Sequence, residues 1–418
     1  MTVGSTIALD TLGCRLNQAE SESLARQFAE AGYRLTSPSN SADIYILNTC
    51  TVTHVADRKS RHLLRMARRR NPEALIIAVG CYPQRASDEL ALLEEVDVVL
   101  GNDEKTRILE VLKDRSVIGG EPLNNAVSKL RTRSMVKVQE GCNQFCAYCI
   151  VPFVRGRERS VPIDEVVNDI KGRIDIGYQE VTLTGTQIGA YKPSLELLVR
   201  RILTETDIGR LRLSSLRPQD LTPSFITLWN DDRLCPHLHL SLQSGSDSVL
   251  RRMRRQYSTA DYEMIVTGVR EALPNVAITT DIMVGFPRET DEEFEDSYRF
   301  CQRMGFANIH VFSFSERPGT LAAEMPQKVA EKVKSVRSKR MLDLAKESAS
   351  RFRERFLGRS MMVLWEREVE QGVWVGLTDN YIRVFARSNE PLRNRFTPAR
   401  LDGWHNHDLL AVPLLNLS

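Results

Sequence analysis

No stretch of this 418-residue chain approaches the roughly eighteen consecutive apolar residues that a membrane-spanning helix needs. The opening residues, MTVGSTIALDTLGC, carry no basic segment followed by an apolar core, so they do not read as a secretory leader. Net charge is nearly absent: 57 basic residues against 54 acidic ones leave +3. Such a chain has no bulk attraction for nucleic acid, and any polyanionic partner must be met by local patches. The eight cysteines are not gathered into the dense framework of a small disulfide-rich domain. These absences predict a soluble, cytoplasmic protein whose thiols stay reduced for metal or redox work. What is present is enough apolar material, 42%, for packed cores, and a length that suggests about three domains.

Three of the thiols lie close together in the stretch CNQFCAYC, at Cys142, Cys146 and Cys149. Spacings of three and then two residues let one loop wrap an iron-sulfur cluster and leave its fourth iron without a protein ligand, open for chemistry. A structural zinc knuckle would need a fourth Cys or His at similar spacing. The next histidine is far away, at His237.

From the start of the chain, residues 6–11 (TIALDT) read as a strand, 18–31 as an amphipathic helix, 42–47 (ADIYIL) as a strand and 74–79 (ALIIAV) as another. This βαβαβ order predicts a parallel, buried, doubly wound sheet. Each strand runs into a cysteine: Cys14, Cys50 and Cys81. Carboxyl ends of strands form the ligand-binding edge of open α/β sheets, so these three thiols should converge there as a second cluster site. Each one alone would read as a small buried hydrophobe. Cys235 and Cys301 have no such pattern and read as structural.

Residues 100–132 hold a short helix, a Gly119-Gly120 turn and a polar basic run, and are expected to form a linker. Beyond them, strand-like runs recur at 135–138, 180–184, 210–214, 237–242, 277–284 and 308–314, with helical segments such as 163–176 and 290–304 between them. Six βα units suggest an open, partial (β/α) barrel, whose chemistry sits on the loops after the strands. CNQFCAYC follows the first of them. A long charged helix is expected over 326–356. Short alternating strands at 361–365, 373–377, 381–385 and 409–414 then suggest a small all-β module.

CNQFCAYC, with Tyr148 before the last thiol, resembles the signature of the radical S-adenosylmethionine superfamily. Together with TLGCRLNQAE, LNTCTVTHVADRKSR, VGCYPQ, HLHLSLQSGSD, TTDIMVGFPRETDEEF and VFSFSERPGT, it makes the whole chain resemble the methylthiotransferase branch of that superfamily, nearest its tRNA N6-threonylcarbamoyladenosine members. The resemblance implies a methylthiotransferase domain over 1–120, a radical core over 133–355 and a TRAM-like RNA-binding module over 356–418. It implies two 4Fe-4S clusters, a radical-generating one on the catalytic Cys142, Cys146 and Cys149 and an auxiliary sulfur-donating one on Cys14, Cys50 and Cys81. The implied reaction adds a methylthio group to carbon two of the modified adenosine next to the anticodon. Partners would be the tRNA anticodon stem-loop, S-adenosylmethionine and an electron donor such as a flavodoxin or ferredoxin, with no membrane involved.

Expected S-adenosylmethionine contacts are Tyr148, Gln187, Ser214, Gln243 and Asp281, although polar residues at strand ends also suit turns and helix caps. Gln187 stands where the family pattern suggests asparagine, and Arg217 where an acidic residue is expected. Phosphate-holding patches are expected at Arg58-Lys59-Arg61 with Arg65 and Arg68-Arg69-Arg70, at Arg155-Arg157-Arg159 and at Arg251-Arg252-Arg254-Arg255. The run from Lys332 to Arg340 reads as a solvated helix face. Trp365, Trp374, Tyr381 and Phe385 are candidates to stack on bases, with about two in three expected in the core.

Overall fold

In the computed structural model, the structure describes residues 4–115, 117, 119–120 and 132–414. Much of the expected linker, including its basic run, lies outside the described residues. The N-terminal sheet contains β1 (Thr6–Thr11), β2 (Arg34–Thr36), β3 (Ile44–Thr49), β4 (Leu75–Gly80) and β5 (Val98–Leu100), all parallel in the order β2-β1-β3-β4-β5. β3 is buried at every position, as a strand covered on both faces must be. The helices α1 (Arg15–Glu30), α2 (His54–Arg70) and α3 (Cys81–Ala91) cover the sheet, and Ile108 and Leu112 of a short helix, Ile108–Asp114, pack into its core. The sequence pattern missed β2 and β5 because three residues are too few to show a period.

The central unit is a half-barrel with β6 (Arg133–Glu140), β7 (Arg159–Ser160), β8 (Glu180–Gly185), β9 (Arg210–Leu213), β10 (Ser215–Leu216), β11 (His237–Leu240), β12 (Ala277–Val284) and β13 (Asn308–Ser313). The six longer strands match the six expected βα units. They form two parallel sets, β6-β8-β9 and β11-β12-β13, with a parallel bridge between Leu211 and Leu234 joining them. Apolar residues such as Leu183, Leu213, Leu240 and Ile282 pack in one core with the covering helices.

A 24-residue helix, Glu331–Glu354, follows. Its Met341 and Leu344 enter the half-barrel core, and its Phe352 enters the core of the C-terminal unit. The helix departs from the solvated face expected of it. Lys334 is buried and binds Glu331 and the Phe314 carbonyl, and Arg337 is buried against Glu289 at 2.6 Å and Asp291 at 2.7 Å.

The C-terminal unit is a closed barrel in the order β14 (Ser360–Glu370), β15 (Val373–Thr378), β16 (Arg383–Arg387), β18 (Asp408–Pro413) and β17 (Phe396–His405). β17 was not foreseen. Pro398 interrupts its sequence pattern, yet Pro398 lies opposite Met362 in the antiparallel ladder. Trp365 and Trp374 are buried in the barrel core, which corrects their candidacy for base stacking. Phe385 is half-buried and packs on His405 with ring centroids 4.3 Å apart, and the unforeseen Trp404 is exposed.

Tyr381 also turns inward, to the junction of all three units. Arg15 of α1, Arg133 of β6 and Arg212 of β9 lie 5.8, 5.4 and 4.6 Å from its ring centre, and His237 of β11 stacks on it at 4.6 Å. Its hydroxyl accepts a hydrogen bond from Arg133 at 3.0 Å. Arg212 is fully buried against Glu180 at 2.9 Å, and Arg133 pairs with Glu366 at 2.8 Å. Burial alone would raise the Tyr381 phenol, but the three guanidiniums outweigh it and hold it below its ordinary value. Tyr381→Phe keeps the ring and loses one hydrogen bond, so it should cost about 1 kcal/mol. Tyr381→Ala removes the common partner of three cations and should cost about 3–5 kcal/mol. Differential scanning calorimetry of the two variants checks that ordering.

Candidate functional site

β1, β3 and β4 are neighbours in the N-terminal sheet, and parallel strands lie about 4.8 Å apart. The residues leaving their carboxyl ends are therefore held side by side. Cys14 caps the start of α1, Cys50 directly follows β3, and Cys81 opens α3. Cys50 senses both Cys14 and Cys81 electrostatically, and burial, the larger cause, pushes its thiol up to about 12. Gly13 has φ of +106°, and a Cβ there would sit 2.6 Å from the Cys50 Cβ and 2.9 Å from its sulfur. Only glycine lets the β1 turn come this close. Asn17 locks the turn by donating to the Leu12 carbonyl at 2.7 Å and to the Thr49 carbonyl at 2.9 Å.

Cys142, Cys146 and Cys149 occupy the loop after β6. Burial pushes Cys149 up to about 12, with Cys146 the next cause, and Cys142 is also raised. Arg255 donates to the Cys146 sulfur at 3.5 Å, to the Tyr257 hydroxyl and to the Ser241 carbonyl. It serves the thiol loop, not the phosphate patch expected of it. Arg252 of that patch is paired with Glu293 at 2.6 Å.

All eight cysteines are free thiols. Cys235 and Cys301 are buried singly, as expected. In neither triad do all three sulfurs lie within 4.8 Å of one another. Among the described residues, only His239, Asp281 and His310 form such a tight group. One tetrahedral zinc ion, with bonds of about 2.3 Å, would need sulfurs about 3.8 Å apart. By donor type, the three thiols of each triad suit a polynuclear iron-sulfur cluster that leaves one iron without a protein ligand.

The N-terminal triad meets the segment that follows the second triad. Cys81 packs with Ile150 and Val154, directly beyond Cys149. Asn102 donates to the Val154 carbonyl at 2.7 Å and to the Cys81 sulfur at 3.4 Å. Arg155 is buried and bonds Glu20 at 2.8 Å, Glu140 at 2.9 Å and Asn17 at 2.5 Å. It ties the two thiol-bearing edges together from inside and cannot hold a phosphate, whereas Arg157 and Arg159 are exposed. Arg317, in SERPGT, closes the other side by binding Asp57 and the Thr51 carbonyl at 2.8 Å and His54 at 2.9 Å. Sequence reasoning missed both roles. The one available signal was Glu20, an acid in line with Leu16, Leu24 and Phe28 on the apolar stripe of α1.

A cavity of about 680 Å³ lies between the edges, lined by Cys14, Arg15 and Cys50 on one side and by Thr184, Gly185, Ser214, His239, Asp281 and His310 on the other. The Ser214 hydroxyl is buried with no protein partner, an acceptor and donor left for a polar ligand. Asp281 accepts from His239 at 3.1 Å and His310 at 3.3 Å; burial would raise it, but the two imidazoles hold it well below the carboxylate range. The other expected contacts lie elsewhere. The Gln187 backbone donates to Gln139, and its side chain meets Asp220, which also binds Arg217 at 2.8 Å, so the two departures from the family pattern share one acid. The Tyr148 ring meets Phe286 edge-on, and the Gln243 amide donates to the Asp281 carbonyl.

Comparison with known proteins agrees with this arrangement. Residues 6–101 match the Uncharacterized protein family UPF0004, and residues 136–301 match the Radical SAM superfamily. The threonylcarbamoyladenosine tRNA methylthiotransferase MtaB of Bacillus subtilis is 36% identical over 422 residues, covering 95% of this chain and 94% of that one. The chain belongs to the radical S-adenosylmethionine methylthiotransferase family. MtaB of Thermotoga maritima is 38% identical over 90% of each chain, and the tRNA-2-methylthio-N(6)-dimethylallyladenosine synthase of Clostridium tetani is 34% identical over 87% of this chain and 86% of that one. Among solved structures, the radical S-adenosylmethionine methyltransferase TsrM of Kitasatospora setae shares the fold, with a TM-score of 0.53 over 77% of both chains at 14% identity. No helix among the described residues is long and apolar enough to cross a membrane.

In this family member the Arg155 pairs should dominate the contact between the two thiol-bearing edges. Arg155→Met removes a buried partner of Glu20, Glu140 and Asn17, leaving Glu20 with Lys105 and Lys137 and Glu140 with Lys137 and Arg159, and should destabilise the chain by about 3 kcal/mol, read as a lower Tm. Burial would raise the Glu20 carboxyl, but Lys105 and Arg155 bring it down to about 2. A depressed carboxyl contributes stability above its unfolded value of about 4.3 and loses it as pH falls toward the folded value. Thermal unfolding followed from about pH 6 down to about pH 3 should show a steeper loss for the parent chain than for Glu20→Gln.

Proposed function

We propose that this enzyme adds a methylthio group to carbon two of N6-threonylcarbamoyladenosine next to the anticodon of tRNA. The observation that carries the reading is the shared cavity, with Cys14 and Cys50 of one strand edge opposite Ser214, His239 and Asp281 of the other. Cys142, Cys146 and Cys149 would hold the radical-generating cluster, and Cys14, Cys50 and Cys81 the auxiliary one. When bound, the first cluster with S-adenosylmethionine supplies a 5'-deoxyadenosyl radical, and the second supplies sulfur.

The chain's own residues do the positioning. Arg155 and Arg317 hold the two edges together, so a base entering between them meets both sites in one enclosure that excludes water. Arg255, beside Cys146, places a positive charge where an anionic cluster would sit. Ser214 and Asp281 line the cavity and are our assignments for S-adenosylmethionine, whereas Tyr148, Gln187 and Gln243 lie outside its lining.

We assign the working parts to 1–120, 133–355 and 356–418. The last presents the Phe385 and His405 rings together at its surface as a place where RNA bases can stack, with Arg383 and Arg387 exposed on the same strand as Phe385. The enzyme would work in the cytoplasm and draw electrons from a flavodoxin or ferredoxin.

Nucleoside mass spectrometry of tRNA from cells with and without the gene tests the substrate. The 2-methylthio-threonylcarbamoyl base should vanish with the gene. Its persistence, with loss of the 2-methylthio-dimethylallyl base instead, would assign this chain to the substrate named for the Clostridium tetani relative. Anaerobically reconstituted protein should carry about eight iron atoms per chain. Cys149→Ala should abolish 5'-deoxyadenosine formation. Cys50→Ala should retain it while losing methylthio transfer, and equal loss of both products in the two variants would refute the division of roles.

A further inference from the structure

The cavity between the thiol edges does not end blindly. A second cavity of about 260 Å³ lies between the half-barrel and the C-terminal barrel, lined by Arg133, His237, Tyr381 and Arg383 among others. Arg15, His239 and His310 line both cavities and so form the throat between them. Asp281 lines the first cavity and is bracketed by the two imidazoles, while Glu366 and Asp408, in the second, are paired with Arg133 and with Arg353 and Arg383.

Arg15 is unusual there. Among the described residues it makes no ion pair and no side-chain hydrogen bond, and its one contact of note is the Tyr381 ring at 5.8 Å. Its neighbours in charge are spoken for, since Arg133 pairs with Glu366 and Arg212 with Glu180. Arg15 stands half-buried beside two other guanidiniums around one ring, where an anion would offset their mutual repulsion. The guanidinium offers a planar fork of donors that matches a carboxylate with two parallel hydrogen bonds.

The chemistry of the substrate says where an anion should lie. On adenine, carbon two and the N6 nitrogen border the same edge of the base, with only N1 and carbon six between them. A group attached at N6 therefore leaves from the edge that receives the sulfur. Its receptor must stand next to the sulfur-bearing site, and Arg15 directly follows Cys14 in the chain. We propose that Arg15, in the throat between the two cavities, binds the threonyl carboxylate of the substrate and selects it over an apolar N6 substituent. This rests on the reading of the substrate given above. Lys59, the other cation lining the first cavity, is exposed on α2, where water weakens its hold on an anion.

The test uses full-length reconstituted protein and two anticodon stem-loop RNAs, one carrying the threonylcarbamoyl base and the other the same base with threoninamide in place of threonine. Dissociation constants are measured anaerobically, beside formation of the 2-methylthio base. The parent chain should bind the carboxylate RNA about tenfold more tightly than the amide. Arg15→Gln should weaken the carboxylate RNA about tenfold and change the amide by less than about twofold. Equal weakening of both RNAs, no weakening of either, or a selective loss in Lys59→Ala instead would overturn the assignment. Should Arg15→Gln fail to retain iron, Arg15→Lys takes its place: a reduced preference for the carboxylate supports the assignment, and an unchanged one overturns it. The underlying reading fails separately, if the parent chain methylthiolates a dimethylallyl RNA and leaves the carboxylate RNA untouched.

Discussion

Two edges of sulfur chemistry are useful to each other only while they stay in register, and in this protein that register hangs on a guanidinium with no access to water. Arg155 belongs to the segment just beyond Cys149, but its hydrogen bonds go to Asn17 and Glu20, on the helix that starts at Cys14. Asn17 in turn holds the end of β3, just before Cys50. One side chain thus couples the turn geometry of both thiol triads. Lys105 adds a second cation against Glu20, and Arg317 fastens the opposite flank through Asp57. Such buried pairs add little net stability compared with apolar packing, but breaking one leaves a charge stranded, so they enforce one arrangement.

The C-terminal barrel is fixed to the rest by a different device. Tyr381 offers a π face and a hydroxyl to cations from two other units, and Arg210 adds bonds to the Leu377 and Met362 carbonyls. The long helix runs beneath both cores. The C-terminal barrel is therefore joined to the half-barrel by buried contacts as well as by the chain, and Phe385 and Trp404 remain at its surface.

Much of this was legible before any coordinates. Strands with buried periodicity, a cysteine after each of three of them, and the tight spacing at Cys142 are local patterns, set by the pleat of a strand and the reach of a loop. The misses share a physical cause as well. Arg155, Arg255, Lys334 and Arg337 were placed at the surface because charge alone argues for water, and their partners Glu20, Cys146, Phe314 and Glu289 are remote in sequence. β17 was lost to Pro398, since a ladder that tolerates a missing donor at one position cannot be inferred from composition. Of the expected cofactor contacts, Ser214 and Asp281 border the cavity because one directly follows β9 and the other lies in β12. Tyr148, Gln187 and Gln243 are turned by neighbours that no motif discloses.

The exposure of the N-terminal thiols has a consequence for metal trafficking. Cys14 is exposed, whereas Cys50 and Cys81 are buried. Copper and zinc bind thiolates more tightly than ferrous iron does. An open thiol cannot select iron by affinity, so the choice of element falls to whatever delivers it.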